Sequence, residues 1–146
     1  MENIFRLQAA AAKQWSVVSD SGAFLVPGKE EELLDQIASL LKDCGLNNYG
    51  IIVDVGASIL FENGGYEISR YSPGSPKIVF DAMQLTEKYM SWLGNAPIIA
   101  FQDPFFHDEL GAFKDLETKC EGKCRVMANQ LYGSGEKRLR QLSTNK

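Results

Sequence analysis

The chain has 146 residues, which is enough for one domain whose hydrophobic core needs neither a disulfide nor a metal to fold. Fifteen lysines and arginines against nineteen aspartates and glutamates give a formal net charge of −4, and 45% of the residues are hydrophobic, as in ordinary soluble globular proteins. This balance argues against a nucleic-acid-binding protein, because no basic excess is available to neutralise phosphates. The sequence begins Met1-Glu2-Asn3, with an acidic residue where a leader would be basic, and it has no long apolar run, so we expect neither a secretory leader nor a membrane span.

The cysteines point to reduced thiols rather than to a disulfide framework. Cys44, Cys120 and Cys124 are an odd number, and we expect no secretory leader. Cys120 and Cys124 lie four residues apart, but the only histidine is His107, so the ligands for a tetrahedral zinc site are missing. We therefore expect no zinc and predict a cytoplasmic location.

The first third of the chain predicts a helix, a strand and a second helix. Ile4, Leu7 and Ala11 share one face of an N-terminal helix. The apolar run 15–18 predicts a short strand followed by a polar turn. Residues 29–44 have apolar side chains at helical spacing and three glutamates near their start, which predicts a helix that covers a sheet.

The rest of the chain predicts three more strands with helices between them. In chain order, these elements are a strand at 49–53, a hairpin with its turn at Asn63-Gly64, a helix from the capping box of Asp81 and Gln84 to Gly94, a strand at 96–101, a helix capped by Asp108, a strand at 125–128 and a helix at about 134–142.

Alternating strands and helices predict an α/β fold with a parallel sheet. Because the carboxyl ends of parallel strands meet on one face, we expect the polar residues that follow the strands to line a common site. These residues are Asp20 and Ser21, Asp54, Gln102 and Asp103, and Asn129 and Gln130. Oxygen donors of this kind suit a hard cation, although any turn after a strand offers similar groups, and Asp103 more simply sets the turn.

Five segments resemble motifs of the enolase family in their order and spacing. Residues 19–24 are similar to the family's Gly-Asp-Glu-Gly-Gly-Phe, residues 53–58 to Asp-Val-Ala-Ala-Ser, and residues 63–67 to Asp-Gly-Lys-Tyr-Asp. Residues 97–105 are similar to Val-x-Ile-Glu-Asp-Pro-Phe, and residues 126–131 to Val-x-x-Asp-Asp-Leu. The resemblance implies the middle of the family's C-terminal barrel. It therefore implies a partial (β/α) barrel of the enolase type, with about four parallel strands and covering helices, in one domain spanning residues 1–146.

The resemblance also implies a lyase chemistry of glycolysis, the conversion of 2-phosphoglycerate to phosphoenolpyruvate with Mg²⁺ held by three carboxylates. Carried over by position, the metal ligands fall on Asp54, Gln102 and Asn129, and the family's acid falls on Ser21. Only Asp54 is a carboxylate, so we expect Mg²⁺ to bind far more weakly here. Ser21 has no useful acidity. The family's lysine base would lie on a strand after Leu142.

Three hypotheses follow. The first is a degenerate, enolase-like pseudoenzyme that lacks dehydratase activity by itself and acts as a binding or structural module. The alternative is a fragment or subunit of an active enolase, in which other protein supplies the missing groups. The third is a docking role, as a homo-oligomer or in a larger protein assembly, through exposed sheet edges. None of them involves a nucleic-acid or membrane partner, and enzymatic activity stays open because most catalytic positions are substituted or absent.

Overall fold

The structure is a computed structural model that describes residues 2–26, 28–70, 74 and 76–130. The chain divides into two compact units, Met1–Tyr49 and Gly50–Lys146. The helix predicted at 134–142 lies outside the described residues.

The first unit contains two helices that contact each other, α1 (Glu2–Gln14) and α2 (Glu30–Asp43). Both helices were predicted from the spacing of apolar residues, and the prediction is confirmed. Ala11 of α1 is buried, and so are Leu40 and Leu41 of α2. Gly45 follows α2 with φ +74°, a left-handed conformation that glycine adopts without strain at the end of a helix.

The predicted strand at 15–18 is wrong. In the described part of the chain, Val18 forms an isolated antiparallel bridge with Phe24 and no ladder with a sheet. The turn between them is closed by a 2.8 Å hydrogen bond from the Ser19 N–H to the Ala23 carbonyl, and Gly22 supplies a φ of +83°. The apolar run therefore pairs with its own next residues, because this turn reverses the chain at once.

The second unit contains a parallel sheet, a small antiparallel sheet and two helices. Its elements in chain order are β1 (Ile51–Asp54), a 3-10 turn (Ala57–Ile59), β2 (Phe61–Glu62), β3 (Gly65–Glu67), β4 (Val79–Phe80), α3 (Ala82–Asn95), β5 (Ile98–Gln102), α4 (Leu110–Cys120) and β6 (Arg125–Met127).

The parallel sheet has the strand order β1-β5-β6. Its register places Asp54 beside Gln102 and Gln102 beside Met127, so the three strands end together. The strands predicted at 49–53, 96–101 and 125–128 are confirmed to within two residues at each end. The sheet has three strands in the described residues rather than about four, because the run at 15–18 does not join it.

The hairpin predicted at Asn63-Gly64 joins β2 to β3. Asn63 has φ +53° and Gly64 has φ +83°, the left-handed pair that a two-residue turn between twisted strands requires. β4 then pairs with β3 and completes the antiparallel sheet. We did not predict β4, because two residues are too short for a recognisable alternation.

The capping box that begins α3 is confirmed. The Gln84 N–H donates to Asp81 Oδ1 over 2.8 Å, and the Asp81 N–H donates to Gln84 Oε1 over 3.0 Å. The predicted cap of α4 is wrong, since that helix has Glu109 at its N-cap position and no side-chain cap. The Glu109 carboxylate instead accepts a hydrogen bond from the Tyr66 hydroxyl.

The core of the second unit lies between the parallel sheet and the two helices. Phe101 of β5, Leu116 of α4 and Tyr89 of α3 are fully buried, and the rings of Tyr89 and Phe101 are 5.1 Å apart. Trp92 of α3 is also buried. Across the described ranges, every helix is too short or too polar to cross a bilayer.

Candidate functional site

The site lies where the three parallel strands end. Asp54 is the last residue of β1, Gln102 is the last residue of β5, and Asn129 follows β6 by two residues. The structure therefore brings the three predicted ligand positions of this unit to the carboxyl ends of adjacent strands in one sheet. The common strand ends follow from the parallel register, as the sequence predicted.

Asp54 and Gln102 are joined directly. Gln102 Nε2 donates a hydrogen bond to Asp54 Oδ2 over 2.8 Å. A carboxylate can only accept, so the amide must turn its nitrogen, and not its oxygen, toward Asp54. The carboxylate thus faces a hydrogen-bond donor, where the sequence resemblance implies a second anionic oxygen.

Asp103 fixes the ends of β5 and β6. Its side chain is 2% exposed, and its Oδ1 accepts hydrogen bonds from the backbone N–H groups of Asn129 (2.7 Å) and Gln130 (2.9 Å). Its backbone has φ +47° and donates to the Met127 carbonyl over 2.8 Å. Asp103 therefore sets the turn after β5, as predicted, and also positions the backbone that carries Asn129, whose side chain is exposed.

The loop after β1 is held by the same turn. The N–H of Val55 donates to the Gln102 carbonyl, and the N–H of Ala57 donates to the Asp103 carbonyl, each over 2.9 Å. Gly56 between them has φ +54°, and a Cβ at that glycine would lie 3.9 Å from Gln130 Nε2. Sequence reasoning missed this connection, and Gly56, two residues after the end of β1, was the signal that pointed to it.

Ser21 belongs to the first unit, where it lies in the turn between Val18 and Phe24. Its Oγ is 2.8 Å from Ser19 Oγ, and Ser19 Oγ also accepts a hydrogen bond from the Ala23 N–H over 3.2 Å. Ser21 is exposed. The hydroxyl thus participates in a local turn and offers no acidic group.

The donor set at the strand ends does not fit Mg²⁺. Within the described residues, no three His, Cys, Asp or Glu side chains come together in a way that could hold a metal ion. Mg²⁺ prefers anionic oxygens in a strict octahedron and gives up water reluctantly. Among the three predicted ligand positions only Asp54 is a carboxylate, and it already accepts a hydrogen bond from an amide nitrogen. Oδ1 of the neighbouring Asp103 already accepts two backbone N–H groups.

A second polar network lies away from the strand ends. The buried Tyr66 hydroxyl donates to Glu109 and accepts a 2.9 Å hydrogen bond from the Phe106 N–H. Burial raises the pKa of Tyr66 well above its ordinary value, and the hydrogen bond to Glu109 raises that pKa further. This network ties β3 to the start of α4, and no sequence motif connects residues 43 positions apart.

A cavity of about 710 Å³ lies between α3 and α4. Thr86, Glu109 and Asp115 contribute to its lining, and none of the predicted site residues does. The cavity is therefore separate from the strand ends.

Comparison with known proteins gives two findings. A family model described as enolase, C-terminal TIM barrel domain, matches residues 3–146. An enolase from Elusimicrobium minutum (strain Pei191) is 25% identical over 125 residues, which cover 85% of this chain. The matched region is 28% of the length of that relative. These findings confirm the family resemblance and the fold class that the motifs predicted.

Proposed function

The chain belongs to the enolase family, and from that premise we propose that it is a degenerate member, a pseudoenzyme that acts as a binding or structural module. By itself it does not dehydrate 2-phosphoglycerate. The observation that carries this proposal is the hydrogen bond from Gln102 Nε2 to Asp54 Oδ2. It engages the one carboxylate among the three positions that match the family's metal ligands.

The reaction chemistry explains why the loss of two carboxylates should abolish activity. Proton removal next to a carboxylate builds up negative charge on the substrate, and a bound cation is needed to neutralise that charge. Gln102 and Asn129 keep the approximate shape of Glu and Asp but carry no charge. Weak cation binding leaves such a site without the electrostatic stabilisation that the reaction requires.

The direct test is an assay of 2-phosphoglycerate dehydration with Mg²⁺ in excess. We expect no turnover above the rate in buffer. Turnover in the usual enzymatic range, on the order of 1 to 10³ per second, would overturn the proposal.

A titration calorimetry experiment tests the physical reason. We expect no heat of Mg²⁺ binding from the unmodified chain, and measurable binding once Gln102→Glu and Asn129→Asp restore two carboxylates. The matched control is Gln130→Glu, which adds a negative charge one residue beyond Asn129 and should leave the titration flat. Binding of Mg²⁺ by the unmodified chain would contradict the assignment.

The alternative function is a fragment or subunit of an active, Mg²⁺-dependent enolase of glycolysis. It is favoured by one observation, that the chain matches only 28% of the length of the curated relative. If this alternative holds, the triple variant Ser21→Glu, Gln102→Glu and Asn129→Asp in a full-length enolase context should bind Mg²⁺ and dehydrate 2-phosphoglycerate, whereas a pseudoenzyme should stay inactive there. A flat titration of a folded triple variant would argue against it.

We also propose that the sheet edges of the chain pair with a second copy in the cytoplasm. Within the described residues, β1 and β6 each pair with β5 alone, so each has one open edge. Ile52 on β1 is 55% exposed and Met127 on β6 is 37% exposed. Open edges with apolar neighbours favour association with another strand. The acidic net charge favours a protein partner over a nucleic acid.

A further inference from the structure

Two cysteine sulfurs meet at the junction of α4 and β6. Cys120 is the last residue of α4, and Cys124 directly precedes β6. Cys124 Sγ donates a hydrogen bond to Cys120 Sγ over 2.7 Å. Since a disulfide bond is about 2.0 Å long, only a small movement of the side chains separates this pair from a covalent bond.

The turn between the two cysteines holds this geometry. Glu121 has φ +50° and Gly122 has φ +75°, two consecutive left-handed residues that reverse the chain after the helix. The Lys123 N–H then donates to the Cys120 carbonyl over 2.8 Å. The sulfurs therefore approach each other because the backbone is fixed, and not through the chance placement of two flexible side chains.

The two thiols differ in their surroundings. Cys120 is fully buried, and this burial, together with the hydrogen bond from Cys124, raises the pKa of Cys120 to about 12. Cys124 is 6% exposed and borders a cavity of about 520 Å³, which Arg125 also lines. A reagent that enters this cavity meets Cys124 first, while Cys120 stays protonated behind it.

We propose that Cys120 and Cys124 form a redox-active dithiol, a modification site at which low-molecular-weight disulfides close an intramolecular disulfide. The Cys124 thiolate attacks the small disulfide, forms a mixed disulfide and releases the first small thiolate, which takes up the proton that Cys124 lost. The Cys120 sulfur then attacks Cys124 Sγ, and its proton leaves with the second small thiol. Two protein thiols are oxidised, and one small disulfide is reduced to two thiols.

The new bond would join the end of α4 to the start of β6. β6 leads within a few residues to Asn129 and Gln130, which Asp103 holds by their backbone. Oxidation would therefore fasten the strand that carries one side of the candidate site. The proposal does not depend on enolase activity or on its absence, since it concerns thiols outside that site.

Peptide mapping of the unmodified chain tests the linkage. The folded protein is equilibrated with glutathione disulfide, its free thiols are blocked with a maleimide, and it is digested with trypsin. Trypsin cleaves after Lys119, Lys123 and Arg125, so a Cys120–Cys124 disulfide joins peptide 120–123 to peptide 124–125. We expect this joined species to predominate, whereas Cys44 should carry glutathione or stay free. Predominantly free Cys120 and Cys124, or a lasting glutathione adduct on Cys124, would overturn the proposal.

The contribution of the fold to disulfide formation is measured by comparing native and denatured protein. In the Cys44→Ser background, we expect the equilibrium constant for disulfide formation against glutathione to be at least tenfold larger in the native chain than in guanidinium. For a two-electron couple this corresponds to a shift of about 30 mV. A native constant equal to or below the denatured one would overturn the proposal.

Single variants in the same background test which of the two thiols reacts first with glutathione disulfide. Cys120→Ser should retain one glutathione on Cys124, because no second thiol is present to displace it. Cys124→Ser should retain none in the time that modifies Cys120→Ser, because Cys120 is fully buried. The opposite pattern in folded variants would show that Cys124 is not the entry point and would overturn the proposal.

Discussion

Asp103 holds two backbone N–H groups with a single buried carboxylate oxygen. Hydrogen bonds to a charged acceptor contribute about 1.5–3 kcal/mol, compared with about 0.5–1.5 kcal/mol for neutral ones. Asn tolerates the left-handed backbone of residue 103 and keeps one oxygen, so Asp103→Asn removes mainly the charge. We expect it to lower the free energy of unfolding by about 1–2 kcal/mol, measured by urea denaturation at neutral pH. Asp115→Asn on the exposed side of α4 is the control and should change little, whereas equal effects would contradict this role of Asp103.

Tyr66 predicts a loss of stability at alkaline pH. Its pKa is raised above its ordinary value of 10.0, so the folded chain holds the phenol proton more tightly than the unfolded chain. The resulting stabilisation is complete below pH 10 and is lost as the pH rises above it. We expect the free energy of unfolding to fall between pH 9 and pH 11, with Tyr66 contributing up to about 1.4 kcal/mol per pH unit above 10.

Tyr66→Phe isolates that contribution. It should lower stability by about 1–3 kcal/mol at neutral pH, because the partly buried Phe106 N–H loses its acceptor, and it should flatten the alkaline decline. Part of the decline should persist, since the pKa of Cys120 is also raised, from 9.0 to about 12. Tyr49→Phe, at a partly exposed position, should keep the original slope. An unchanged slope in Tyr66→Phe would contradict the assignment.

For individual site residues, the sequence predicted their positions at the strand ends but not their side-chain hydrogen bonds. The sequence placed Asp54 beside Gln102 correctly, because both residues end parallel strands. It did not show that the amide nitrogen would face the carboxylate, since that choice depends on hydrogen bonding in three dimensions. It also missed the pairing of Tyr66 with Glu109, because the two residues lie 43 positions apart and share no motif.

At the scale of secondary structure elements, replacing glycine by alanine should have opposite effects on stability at Gly64 and at Gly94. Gly64 has φ +83° in the β2–β3 turn, and Gly94 lies within α3 without a left-handed backbone. Neither has a neighbouring atom within 4 Å of the position that a Cβ would take, so backbone conformation alone decides the outcome. We expect Gly64→Ala to lower the free energy of unfolding by about 1 kcal/mol and Gly94→Ala to raise it by about 0.5–1 kcal/mol. Thermal and urea unfolding check the pair, and a shift of the same sign in both would contradict it.

Elements were predictable where a local signal and tertiary packing agree. The capping box at Asp81 and the turn at Asn63-Gly64 are local signals that the fold keeps. The run at 15–18 has the composition of a strand, but strand pairing is decided by its neighbours, and the nearest partner is the segment just after the turn. The cap predicted at Asp108 is wrong because α4 begins at Leu110, one residue later than that cap requires, so Glu109 occupies the N-cap position.

For the whole molecule, we expect self-association through the exposed strand edges. Light scattering over a range of concentrations should show a mass that rises toward a dimer. Ile52→Lys should shift the protein toward monomer, because it places a charge on the 55% exposed side chain of an edge strand. Met83→Lys is the matched control, since Met83 is 63% exposed on α3 and outside the sheet. A strictly monomeric chain, or an equal response to both variants, would contradict the proposed pairing.

The hydrogen bond between Gln102 and Asp54 also affects the stability of the fold when divalent cations are absent. Three carboxylates at adjacent strand ends would repel one another whenever no cation lies between them. Here only Asp54 is a carboxylate among those three positions, and it faces an amide donor, so no like-charge repulsion arises among them. On the proposed assignment of Asp54, Gln102 and Asn129 as substituted ligand positions, this end of the sheet needs no cation, and we expect the stability of the fold to be unchanged in a chelating medium.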